Sequence, residues 1–131
     1  MATRLILLIL GAFHIVNGVF MLFAPDAWYV AVPGVMQTGP MNHHFIADIG
    51  LAFIASGAGL IYGVRRGAAA FAIAGATWPA LHALLHIWGW VQHGFPADAH
   101  VALSEAVGVV LLSALGLFAA WMKSREEGAL T

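Results

Sequence analysis

The chain has 131 residues, of which 62% are hydrophobic and 8% are charged, and its mean hydropathy is +0.90. A soluble domain carries about 25% charged residues, so this chain has too few charges to cover a water-facing surface. A net charge of −1 without a basic cluster excludes electrostatic binding to nucleic acid. The absence of cysteine excludes disulfides, thiolate metal sites and cysteine nucleophiles. The composition therefore indicates an integral membrane protein in contact with the lipid bilayer.

Four hydrophobic runs predict four transmembrane helices, at about residues 5–24, 43–62, 68–92 and 100–122. Each run is close to the 17 to 25 residues that a helix needs to cross the hydrocarbon core. Segments with proline and glycine separate the runs, and no alternating strand pattern is present. Because a helix satisfies its own backbone groups within lipid, we predict an all-α bundle of four transmembrane helices that forms one domain over residues 1–131.

The basic residues predict the orientation of these helices. All five lie before the first run, between the second and third, or after the fourth: Arg4, Arg65, Arg66, Lys123 and Arg125. The other two connections contain no lysine or arginine. By the positive-inside rule, both termini are cytoplasmic, and the long first connection faces the opposite side of a bacterial inner membrane.

Polar residues inside the runs fall into two predicted layers when a rise of about 1.5 Å per residue converts position into depth. The outer layer comprises Asn17, Asp48, His86 and Glu105, and the deeper layer comprises His14 and His82. A lone charged side chain at this depth costs about 2.5 to 3.5 kcal/mol, so each group needs a partner or a ligand. We therefore expect the six side chains to converge in one chamber beneath the outer surface.

Imidazole and carboxylate groups in this arrangement predict a transition-metal site for Zn, Cu or Fe. Spacings of four residues place His44 beside Asp48 and His82 beside His86, so one helix can supply two ligands. The candidate ligands are His14, His44, Asp48, His82, His86 and Glu105, with Asn17 as a residue that orients them. Such a site, in a pocket open to the periplasmic side, would fit a redox or respiratory accessory role. Whether it is catalytic stays open, as does a homo-oligomer or a larger membrane complex as partner.

Three alternatives account for the same residues. A b-type haem, held axially by His14 and His82, would make the protein an electron carrier but leaves the acids unexplained. A proton relay would need ionisable groups in the cytoplasmic half of the helices, which is almost free of them. A purely structural cluster, or a site for a non-metal ligand, would instead use the polar groups to fix helix register or to bind an organic molecule.

Proline and aromatic residues have simpler predicted roles. Pro79, inside the third run, is expected to release the carbonyl of Gly75 and to kink the helix. The aromatic residues near the ends of the runs are expected to act as interfacial anchors, and they are Trp28, Tyr29, Trp88, Trp90 and Trp121. In the long first connection, the segment DAWYVAV is predicted either as a short interfacial helix over the mouth of the bundle or as an aromatic anchor.

The segment GPMNHHFIADIGLAFIASG, residues 39–57, resembles small bacterial four-helix inner-membrane proteins of the DoxX-like type. The resemblance consists of the plan of the four helices and the stretch from His44 to Gly50, which contains an Asp-x-Gly motif. It implies the fold and the inner-membrane location, and it extends neither to an activity nor to the HALLH pair of the third run.

Overall fold

In a computed structural model, residues 1–128 are described and all regular structure within them is helical. The helices are α1 (Ala2–Phe23), α2 (Pro25–Ala31), α3 (His43–Arg66), α4 (Ala69–His93), α5 (Ala99–Leu103) and α6 (Leu112–Gly128), and a π-helical segment over Ser104–Leu111 joins the last two. Residues 129–131, the end of the predicted domain, lie outside the described residues. The four long helices overlap the four predicted ranges.

Four helices are long and apolar enough to cross a membrane: Ala2–Phe23, His43–Arg66, Ala69–His93 and the continuous Ala99–Gly128. Large apolar side chains point outward along all of them, including Ile9, Leu51, Leu85 and Phe118. The buried core contains many alanines beside a few larger residues, among them Leu7, Leu60, Ala72 and Ala120. Apolar residues outside and small residues inside are what helix packing in lipid requires. The predicted all-helical fold with four helices of membrane-spanning length is therefore confirmed.

Two pairs of glycines set the contact between α1 and α3. A side-chain carbon at Gly18 would lie against the carbonyl oxygen of Gly50, and one at Gly57 would lie against the carbonyl oxygen of Gly11. Gly11 and Gly18 are seven residues apart on α1, as are Gly50 and Gly57 on α3. The helices are therefore antiparallel, and their backbones approach as closely as the missing side chains allow.

The contact between α3 and α4 uses the same principle. A side-chain carbon at Gly59 would lie 3.0 Å from the Cα atom of Gly75, and one at Gly63 would lie 2.5 Å from the backbone nitrogen of Ala72. Residue numbers rise along one helix as they fall along the other, so α3 and α4 are antiparallel with Gly59 level with Gly75. This register fixes which polar residues of the two helices lie at the same depth.

Hydrogen bonds gather the two chain ends and the α3–α4 turn at one end of the bundle. Thr3 donates its hydroxyl to Glu126 at 3.0 Å, and the backbone N–H of Ala69 donates to Glu127 at 2.8 Å. The buried Lys123 forms an ion pair with Glu127 at 2.6 Å. We call this the basic end, because it carries all five lysine and arginine residues, and the opposite end, with residues 24–42 and 94–98, the acidic end.

Candidate functional site

The fourth long helix departs from α-helical geometry where its acid lies. The segment Ser104–Leu111 is π-helical, and Glu105 is its second residue. π-Helical segments are rare and are frequent at functional sites, because the wider turn redirects side chains that an α-helix would aim elsewhere. No residue pattern predicts this segment, and Glu105 within it contacts α4.

Glu105 joins the fourth helix to α4 through one short hydrogen bond. The indole N–H of Trp90 donates to Oε2 of Glu105 at 2.6 Å, and Nδ1 of His86 lies 3.5 Å from the same oxygen. The side chain of Glu105 is 21% exposed and that of His86 is 25% exposed, so both are largely shielded. Because the site is shielded from water, a hydrogen bond to the carboxylate of Glu105 is stronger there than at an exposed site.

The stripe of α4 that faces Glu105 continues inward through His82. The rings of His82 and His86 meet at right angles with their centroids 4.9 Å apart, and His82 stacks nearly parallel on Trp78 at 5.3 Å. Spacings of four residues place all three on one face of the helix. A row of aromatic and imidazole rings therefore leads from Glu105 toward the middle of the bundle.

The long first connection covers the acid from the side of the acidic end. Gly34 has φ = 89°, a conformation that residues with a side chain rarely adopt. A side-chain carbon at this position would lie 3.9 Å from Oε1 of Glu105 and 3.0 Å from Val101. Oε1 accepts no hydrogen bond from any residue between 1 and 128. Glu105 therefore has one oxygen that accepts a hydrogen bond and one that accepts none, and Gly34 lies beside the second.

His14 belongs to a separate, buried chain of hydrogen bonds. The hydroxyl of Ser56 donates to the carbonyl of Gly75 at 2.6 Å, so its oxygen accepts the proton on Nδ1 of His14 at 3.0 Å. Gly75 lies four residues before Pro79, which has no N–H to offer it. The carbonyl that Pro79 was predicted to release is therefore bound by α3, and the chain of bonds joins α1, α3 and α4.

Asn17 holds the first connection in place. Its Oδ1 accepts the indole N–H of Trp28 at 3.1 Å, and its Nδ2 lies 3.9 Å from the sulfur of Met21. Trp28 is on α2, the short helix that the sequence offered as one reading of DAWYVAV, and Pro25 occupies its first position. Asn17 thus anchors the segment that leads to Gly34.

The remaining candidates form exposed pairs at the acidic end. His44 lies 3.4 Å from Asp48 on α3, and His43 lies 3.3 Å from Asp26 on α2. The His44 side chain is 89% exposed and that of Asp48 is 57% exposed. Neither residue is enclosed with Glu105 and His86.

Instead of one chamber, the structure shows three separate arrangements. Glu105 meets the ring row of α4, His14 binds Ser56, and His44 pairs with Asp48. Within residues 1–128, no group of three or more His, Asp or Glu side chains is placed to hold one metal ion. The α3–α4 register still puts Asp48 level with His86, since each lies eleven residues from the Gly59–Gly75 contact. Asp48 and His86 therefore lie at the same depth, as predicted, but no contact joins their side chains in the part of the protein that the structure describes.

The space between His14 and His82 bears on the haem alternative. The ring of Phe53 contacts both imidazoles, with centroid distances of 5.6 Å to His14 and 6.5 Å to His82. Trp78 also packs edge-on against Phe53 at 4.7 Å. A haem with these two histidines as axial ligands would have to displace the phenyl ring.

Charge is distributed unevenly between the two ends. Four of the six carboxylates lie in or near the acidic end, and they are Asp26, Asp48, Asp98 and Glu105. No lysine or arginine lies there. The backbone N–H groups of Val101 and His100 hydrogen-bond to Asp98, and together with the charge on His100 they hold the pKa of that carboxyl below its usual range. Each of these carboxylates has a histidine beside it, namely His43, His44, His100 and His86. A cation that approaches this end therefore meets a negative field when these histidines are neutral.

Sequence reasoning missed three residues of the site. Trp90 was assigned to an interfacial belt, Gly34 was only part of a loop, and Ser56 was not considered. The spacing of Trp90 four residues after His86 was the available signal, because it continues the stripe of His82 and His86. No family model matches the chain, and neither a curated protein nor a solved structure matches it.

Proposed function

We propose that the protein is a multi-pass protein of the bacterial inner membrane, of the DoxX-like type, with the basic end and both termini in the cytoplasm. The support is the presence of all five basic residues at one end of a bundle with four helices of membrane-spanning length. The acidic end, with the first connection and Glu105 beneath it, then faces the periplasm.

Single cysteines test this orientation cleanly, because the chain has none of its own. In intact cells, a membrane-impermeant maleimide should label Gln37→Cys in the first connection and leave Arg66→Cys unlabelled. If only Arg66→Cys were labelled in intact cells, the orientation would be the opposite of the proposed one. Permeabilised cells, in which both variants should react, provide the control for expression and reactivity.

We further propose that the protein binds an organic cation, a primary amine, at Glu105 from the periplasmic side. The free Oε1 of the shielded Glu105 carries this proposal, because Trp90 already satisfies Oε2. An ammonium group donates up to three hydrogen bonds, and a charge-assisted bond is roughly twice as strong as a neutral one. Three further carboxylates lie in or near the acidic end and attract the cation when the histidines beside them are neutral, and Gly34, which lies beside the acceptor, carries no side chain.

Butylamine is a suitable probe for the head group alone. In nanodiscs, millimolar butylamine should raise the melting temperature of the protein, whereas butanol should not. Glu105→Gln should abolish the shift, and Asp26→Asn, which removes an exposed carboxylate at the same end, should retain it. Equal shifts with butylamine and butanol, or a shift that survives Glu105→Gln, would contradict amine binding at this residue.

A transition-metal site is the second candidate, and its proposed ligands are now His82, His86 and Glu105. Two ligands about 2.0 to 2.1 Å from a tetrahedral ion are separated by roughly 3.4 Å, close to the 3.5 Å between His86 and Glu105. Rotation of His82 would supply a third donor. Elemental analysis of purified protein tests this site: a stoichiometric metal that His86→Ala abolishes would favour it over the amine. A Soret band lost in His14→Ala would instead favour haem.

A further inference from the structure

A groove with a volume of about 350 Å³ lies between α3 and α4. It is closer to the basic end than the row of rings formed by Trp78, His82 and His86. Its floor consists of small residues, and the rings of Phe71 and Trp78 stand at its two ends. The lining residues are Ala52, Ala55, Ser56, Gly59, Phe71, Ala74, Gly75 and Trp78. This volume is at the lower end of the range of roughly 300 to 1,000 Å³ that ligand pockets occupy.

The groove opens sideways from the bundle. Ala55, Phe71 and Ala74 are exposed, and all three lie within the helices of membrane-spanning length. The one hydroxyl in the lining, that of Ser56, is engaged between His14 and Gly75. In a bilayer, the groove would therefore open toward the lipid tails, from which an apolar chain can enter it.

Trp78 connects the groove to the candidate site. Trp78 is one of the lining residues, and its indole stacks on His82, which contacts His86 beside Glu105. The eight positions from Trp78 to His86 span about 12 Å along α4. One face of α4 thus changes from apolar near the middle of the bundle to polar toward the acidic end.

We propose that the groove holds the apolar chain of a lipid-soluble primary amine whose head group binds Glu105. This inference rests on the proposed amine site and names the class of ligand that it takes. Charge complementarity selects the head group, because the acidic end combines four carboxylates with no lysine or arginine. The chain gains little free energy on leaving lipid tails for an equally apolar groove, so the groove selects by shape while Glu105 supplies the affinity.

A dodecylamine with a diazirine at the end of its chain tests the placement in nanodiscs. Photolabelling followed by mass spectrometry should locate the label on the groove-lining segments of α3 and α4. Ala55→Phe and Ala74→Phe fill the groove without changing a helix contact, and each should reduce labelling there at least fivefold. Ala58→Phe and Ala70→Phe add the same ring at exposed positions outside the groove and should leave the labelling unchanged.

The head group is tested in the same assay. Glu105→Gln should lower groove labelling at least fivefold, and unlabelled dodecylamine should compete better than dodecanol. Labels scattered over the lipid-facing surface, or groove labelling that ignores both Glu105→Gln and the head group, would overturn the proposal. So would a loss of self-association in Ala55→Phe and Ala74→Phe, since a second copy of the chain would then occupy the groove. If butylamine still stabilises the protein through Glu105, the amine site stands and only the groove assignment fails.

Discussion

Glu105 shows how one residue combines a structural bond with a free acceptor. Because Trp90 donates to Oε2, the carboxylate is held in place while Oε1 stays available. The sequence alone places Glu105 within a membrane-spanning helix. An acidic side chain is energetically costly there, so Glu105 is a candidate functional residue. The sequence did not predict which oxygen would be satisfied, because that depends on the π-helical turn and on a tryptophan of another helix.

Trp90→Phe should destabilise the protein by about 2 kcal/mol, since a hydrogen bond to a charged group contributes roughly 1.5 to 3 kcal/mol. The ring volume is largely kept, so the loss reports the N–H group. Equilibrium unfolding in mild detergent measures the change. Trp88→Phe is the matched control, because Trp88 is exposed and the same substitution there breaks no hydrogen bond to another helix. Equal losses in the two variants would show that the Glu105 bond contributes nothing.

Asp98 gives a pH-dependent prediction outside the membrane-spanning helices. It caps α5 by accepting the N–H groups of His100 and Val101, and these bonds lower its pKa in the folded protein. Because the pKa of Asp98 is lower in the folded than in the unfolded protein, ionised Asp98 stabilises the fold at pH values above the unfolded pKa of about 3.9. This contribution is lost as the pH falls through the folded pKa.

The melting temperature of the wild type should therefore exceed that of Asp98→Ala at pH 6, and the difference should shrink below about pH 4. The two proteins differ only at residue 98, so the difference at each pH reports the contribution of Asp98. A difference that stays constant from pH 6 to pH 3 would mean that the cap does not depend on the charge.

At the scale of helices, the sequence predicted most of the fold and little of the site. Runs of apolar residues fixed four long helices, since a helix in lipid needs only length and apolarity. Proline chemistry also predicted that the carbonyl of Gly75 lacks its helical hydrogen bond, and the hydroxyl of Ser56 binds it instead. The pairing of polar residues was not predictable, because depth along a helix says nothing about how neighbouring helices rotate or splay. His44 and Asp48 therefore pair on the surface, although Asp48 lies level with His86.

The glycine contacts between α1 and α3 give a prediction at this scale. Gly57→Ala would press a methyl group against the carbonyl oxygen of Gly11 and lie 2.8 Å from Ile15, so the helices would have to separate. Overpacking of this kind costs about 1 to 3 kcal/mol. Steric-trap or detergent unfolding should detect the loss. Gly89→Ala meets no atom within 4 Å and should be neutral or slightly stabilising, because alanine favours the helix.

The whole molecule is polarised along its axis, with different roles for charge at its two ends. The carboxylate of Glu105, near the acidic end, is shielded and keeps one oxygen without a hydrogen bond, whereas Glu127 at the basic end uses both oxygens within the protein. Glu127 pairs with Lys123 within its own helix and accepts the first N–H of α4. That contact ties the last helix to the start of α4, next to the turn that α3 enters.

Glu127→Ala should break this tie and strand the buried ammonium of Lys123. Loss of one partner of a buried pair costs 3 to 5 kcal/mol, but Glu127 is 31% exposed, so solvent screening reduces the expected cost to about 2 kcal/mol. Lys123→Met in the same chain removes the stranded charge, and the double variant should therefore recover part of the stability lost in Glu127→Ala. Glu127→Gln keeps an acceptor for the N–H of Ala69 and should fall between the wild type and Glu127→Ala. A double variant less stable than either single variant would show that the ammonium is not stranded, and that Lys123 finds a second acceptor at the basic end.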